Sequence, residues 1–99
     1  MHVKDFDNKA PAEIIPLTFD FKNITADISS AVVSVAVKRG TDAAPGAMIV
    51  APHQVVGVEV RQLVKDGLDG VTYLYRCDAV NAAGDKYALG GYLSVNEIN

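Results

Sequence analysis

Apolar and polar residues take turns along most of this chain. Ile15, Leu17, Phe19 and Phe21 occupy every second position, with Pro16, Thr18 and Asp20 between them. A pleated backbone sends such positions to one face, so the stretch predicts a half-buried strand. Pro16 has no N–H for a ladder, which places that strand at a sheet edge or at its own start. Ala31, Val33, Val35 and Val37 alternate with Val32, Ser34, Ala36 and Lys38 in the clearest strand pattern of the chain. Its density of β-branched residues, with no 3.6-residue stripe, sets helix aside. Residues 55–64 predict one or two more strands, with Val58 and Val60 inward and Glu59 and Arg61 outward. Tyr73, Tyr75, Cys77 and Ala79 then share one face of a strand. After a tight turn at 82–85, Tyr87, Leu89, Gly91, Leu93 and Val95 share one face of its return.

Turn formers punctuate these runs. Residues 23–30 are short and polar, with Ile24 and Ile28 as plugs; residues 39–46 form a loop, and Pro52 stops a short apolar piece at 47–51. About six to seven strands, separated by turn signals and without an amphipathic helix, predict an all-β antiparallel sandwich. Residues 1–12 are polar and charged and read as an N-terminal arm, either loose or docked on something. Residues 13–99 then form a single sandwich domain.

Composition narrows the function. Ninety-nine residues suffice for one core but not for a deep cleft as well. The net charge is -3 and the nine Lys and Arg are scattered, so no basic stripe marks a nucleic-acid surface. No apolar run approaches the ~18 residues of a membrane span, and the N-terminal residues hold no signal-peptide h-region. The single cysteine, Cys77, excludes an internal disulfide and fits folding in a reducing cytoplasm.

Catalytic chemistry finds little to stand on. His2 and His53 are the only histidines, and with one Cys no zinc-binding spacing can be built. Asp66, Asp69 and Asp85 lie in turns; their spacing lacks the alternating oxygen ligands of a calcium loop, and turns call for Asp and Gly anyway. Cys77 falls among the inward tyrosines and reads as core rather than nucleophile. No phosphate loop or nucleophile elbow occurs. No catalytic, cofactor-binding or metal-binding residue is therefore assigned. Candidate contact residues remain: Tyr92, on the face opposite Leu93, together with Phe6 and Pro11 of the arm. Beside Gly90-Gly91, Tyr92 reads as an interface anchor, or the pair reads as a bulge that bends the last strand.

Two resemblances add to this reading. Leu68-x-Gly70-x-x-Tyr73 is similar to the tyrosine corner of immunoglobulin-like and fibronectin-type sandwiches. It implies that Tyr73 ties back to the preceding loop, with Leu68, Gly70, Tyr75 and Cys77 forming corner and core. More widely, three segments resemble the small Ig-like proteins of phage and prophage tail regions, the fibre-tail adaptors. They are Leu-Thr-Phe-Asp-Phe at 17–21, Ser-Ala-Val-Val-Ser-Val-Ala-Val at 30–37, and Val71 to Tyr87. The resemblance implies a non-enzymatic virion structural protein, made in the host cytoplasm, that binds other phage structural proteins and is a candidate homo-oligomer. The alternative is an Ig-like binding module that recognises a carbohydrate or cell-surface protein through loops 39–46 and 52–57. Those loops hold no aromatic residue to stack on a sugar.

Overall fold

Seven strands and one 3₁₀ turn make up the computed structural model, which describes residues 2–97. They are β1 (His2–Asp5), β2 (Ile15–Asp20), β3 (Ser30–Arg39), β4 (Gln54–Val56), β5 (Glu59–Val64), β6 (Thr72–Val80) and β7 (Lys86–Ser94). Two sheets form, a four-stranded one in the order β1-β7-β6-β3 and a three-stranded one in the order β2-β5-β4. All pairings are antiparallel except β1 with β7. The expected β-sandwich is present.

Period-2 patterning explains which faces meet. Leu17 and Phe19 of β2, Val60 and Val64 of β5, Tyr73, Tyr75, Cys77 and Ala79 of β6, and Leu93 of β7 are all buried in one core. Ile24 and Ile28 pack against its margin. The register is strict: β6 and β7 pair from Thr72 opposite Ser94 to Val80 opposite Lys86 without a shift. A one-residue slip would turn the tyrosines to water, so burial itself holds the pairing. As Pro16 required, β2 is an edge strand. The apolar piece after Pro45 is not a strand but a 3₁₀ turn, Pro45–Met48, which drops Met48 into the core beneath Tyr75.

The N-terminal segment is docked rather than loose. Residues 2–12 join the sandwich instead of standing outside a domain that begins at 13. His2–Asp5 runs parallel to β7, with His2 opposite Leu89 and Asp5 opposite Tyr92. Pairing resumes at Lys9 opposite Val95, so three arm residues span two of β7, which is a bulge. Phe6 turns inward there and meets the Phe19 ring edge-on, with centroids 5.6 Å apart and planes at 87°. A Cβ on Gly91 would overlap that Phe6 ring. The Gly90-Gly91 pair is thus no bulge in β7; Gly91 makes room for an aromatic ring from the first segment.

Lys9 is fully buried. Its ammonium donates to the carbonyls of Ala10 at 2.8 Å, Pro11 at 3.2 Å and Asp66 at 2.6 Å, which uses all three of its protons. Burial holds its pKa below the usual lysine value, and the nearby Asp66 and Glu13 carboxylates offset part of that shift. Asp66 has φ 53°, in the left-handed region that non-glycine residues avoid. The bond from Lys9 steadies that turn.

Candidate functional site

The tyrosine corner is the best-defined polar arrangement among the described residues. Leu68 to Val71 forms a turn closed by Val71 N–H donating to the Leu68 carbonyl at 3.1 Å. Gly70 sits at φ +83°, which its third position in such a turn demands. Tyr73 follows as the first inward residue of β6, wholly buried, and its hydroxyl reaches back to the loop. It accepts from Leu68 N–H at 3.0 Å and donates to Asp42 Oδ2 at 2.7 Å. Asp42 is itself set by an N–H from Ala44 at 3.0 Å. One phenol therefore joins three segments: the loop after β3, the turn before β6, and the core.

The electrostatics follow. Donation from Tyr73, then from Ala44 N–H, holds the Asp42 carboxyl below its usual range. Burial first, and the Asp42 bond second, push the Tyr73 phenol up. Tyr73→Phe should therefore destabilise the fold by about 1–2 kcal/mol, because a partly buried N–H loses its acceptor. Asp42 adds a sign. A carboxyl with a depressed folded pKa contributes stability above its unfolded pKa and loses it as pH falls through the folded one. Chemical denaturation between acid and neutral pH should show that acid-side loss in the wild type and a smaller one in Tyr73→Phe.

The other sequence-assigned residues do not converge on one site. Tyr75 and Cys77 are core. The Tyr75 hydroxyl points at Met48 Sδ, 3.4 Å away, and burial pushes its pKa up. Leu68 corrects an expectation, for its side chain is 50% exposed and only its backbone serves the corner. Phe6 and Pro11, expected as contact residues, are spent internally: Phe6 packs on the core, and the Pro11 carbonyl accepts from Lys9. Tyr92 does lie on the outer face of the four-stranded sheet, half-buried, with the Lys38 ammonium 5.9 Å from its ring centroid. It borders an open hollow of about 360 Å³ with Asp5, Lys38, Arg39, Thr72 and Ser94.

Sequence reasoning assigned no role to three polar residues that prove structural: Lys9, Asp42 and Gln62. Gln62 is buried in β5 and donates to the Ala51 and Leu63 carbonyls at 2.7 and 3.0 Å. Its inward position was readable from the alternation with Val60 and Val64, whereas Lys9 and Asp42 depend on partners far along the chain.

Cys77 is unsuited to nucleophilic work. Burial, with a smaller contribution from Asp78, pushes its thiol up to about 12. An Ellman titration of native protein should find no reactive thiol, and one after denaturation. A raised folded pKa gives stability that is fully present below the unfolded value near 9 and is lost as pH climbs toward 12. Tyr73 and Tyr75 act in the same direction at somewhat higher pH, and Lys9 opposes them. Cys77→Ala should therefore delay the onset of alkaline unfolding until the tyrosines begin to ionise.

No protein-family profile matches the chain, and no curated protein sequence is significantly similar to it. Among the described residues, no group of three or more His, Cys, Asp or Glu side chains gathers where a metal ion could sit. Every buried polar side-chain atom there already has a hydrogen-bond partner.

Proposed function

We propose that this chain is an Ig-like structural subunit of a phage or prophage tail that works through protein–protein contacts and without catalysis. The observation that carries the reading is the corner at Tyr73 set in an Ig-type strand order. In constant-type Ig domains one sheet holds the second, fifth and fourth strands and the other the third, sixth and seventh. Here β2-β5-β4 faces β7-β6-β3 in the same sense, and β1 joins the β7 side. Residues 71–87, which carry the likeness to tail-region adaptors, span the first strand and the turn of the hairpin that bears this corner.

Placement of the polar groups favours a scaffold. Tyr73, Asp42, Gln62 and Lys9 all spend their hydrogen bonds inside the fold. The surface that remains includes sheet edges and an outer face with Tyr92. Protein partners with complementary strands fit such a surface. The protein would be made in the host cytoplasm and end in the virion.

The test is co-expression with the products of neighbouring genes, followed by purification and negative-stain imaging. Incorporation into a ring or tail-like particle is the expected result. A purified chain that instead binds specific glycans on an array, with no affinity for virion proteins, would overturn the proposal in favour of a carbohydrate-recognition module.

A further inference from the structure

We infer that the free edge of β3 pairs with the same edge of a second copy, antiparallel about a two-fold axis near Val33. The inference does not depend on where the protein works. At ten residues β3 is the longest strand, and it lies at the end of the four-stranded sheet. Its ladder runs to β6 on one side. Among the described residues, no backbone group outside β6 pairs with it. An edge strand of this kind leaves a row of N–H and C=O groups ready for another strand.

The other edges are less suited. β1 has four residues and β4 three, and β2 contains Pro16. β3 offers Ser30 to Val37, about 26 Å of uninterrupted strand at 3.3 Å per residue, before the ladder shifts between Val37 and Arg39.

Two properties of the side chains select a second copy as the occupant. Val33, Val35 and Val37 point inward yet stay half-buried, because the core ends at this edge. A two-fold near Val33 sets Val33 opposite Val33 and Val35 opposite Ala31, which carries the core across both copies. On the other face it sets Val32 opposite Ser34; Val32, at 64%, is the most exposed of the large hydrophobic residues. Charge agrees. Lys38 and Arg39 close the strand, and neither forms an ion pair among the described residues. Asp27 is the only carboxylate between Phe21 and Thr41 and precedes the strand. Antiparallel pairing brings the cationic end of each copy to the Asp27 end of the other. The contact is isologous and uses up both edges, so assembly stops at a dimer.

Sedimentation equilibrium tests this. The wild type at about 0.5 mM, a concentration suited to an interface of less than standard size, should approach twice its 10.5 kDa mass. Added salt should weaken the dimer. Arg39→Glu should yield a folded monomer, and so should Val32→Glu at its exposed site. Adding Asp27→Lys to Arg39→Glu should restore the dimer, with thermal melts confirming a folded chain. Because Asp27 also accepts from Ala82 N–H at 2.8 Å, the Val32→Glu variant gives a reading that leaves that bond intact. A wild type that stays monomeric throughout would overturn the inference. A dimer indifferent to both Arg39→Glu and Val32→Glu would do so equally, since another surface would then hold the copies together.

Discussion

Gly91→Val should expel Phe6 and release the first strand from the sandwich. Even the first carbon of a side chain at position 91 would occupy the space of the Phe6 ring. That ring stands edge-on to Phe19 and cannot retreat deeper, because Phe19 is buried to 2% exposure. The ring must leave instead, and with it goes the register of β1 against β7, which the Phe6 N–H bond to the Tyr92 carbonyl at 2.9 Å continues. Removing a buried aromatic side chain costs about 3–5 kcal/mol in a full core. Phe6 is only partly buried, so about 2–3 kcal/mol is expected. Urea denaturation measures the loss. Hydrogen exchange locates it: amides at 6 and 9 should lose protection while those of β5 and β6 keep theirs. Phe6→Ala should reproduce the exchange pattern. If Gly91→Val left those amides protected, the proposed packing of Phe6 on β7 would be wrong.

Lys9→Met should cost about 3 kcal/mol or more despite its nearly equal bulk. Methionine fills the space but leaves the Ala10, Pro11 and Asp66 carbonyls without their donor, at about 1–3 kcal/mol for the buried Ala10 group and less for the two part-buried ones. Against this stands relief from burying an ammonium, the cost that already lowers the Lys9 pKa. The donors win because all three protons are used and none of the carbonyls can turn to another partner without moving its segment. The variant should also free the turn at Asp66, whose positive φ is tolerated under the hold of Lys9. A thermal melt checks the magnitude. An Asp66→Gly change added to Lys9→Met should recover part of the loss, since glycine adopts that backbone freely. A Lys9→Met protein as stable as the wild type would show that the charge costs as much as its bonds return.

These two sites mark where local reading reaches its limit. β2, β3, β6 and β7 were legible because each carries its own two-residue period, and each turns inward the face that period names. The corner was legible as well: the turn and its tyrosine lie within six residues, from Leu68 to Tyr73, and the hydroxyl meets the Leu68 N–H. Tyr92 could be placed on the outer face by parity with Leu93. The exposed side chain of Leu68 could not, because the motif specifies its backbone only.

What the chain by itself determined is a set of strands, their inward faces, one hairpin and one corner, since all of these rest on contacts between residues close in sequence. Tertiary structure alone decided the fate of residues 2–12, the burial of Lys9, the role of Gly91 and the descent of Met48 under Tyr75. Parallel pairing of the first strand with the last leaves no turn between them to announce it. Lys9 becomes an interior residue only where the Asp66 carbonyl, 57 residues away, joins those of its neighbours Ala10 and Pro11 around it, and a polar, charged segment gives no local hint of that meeting.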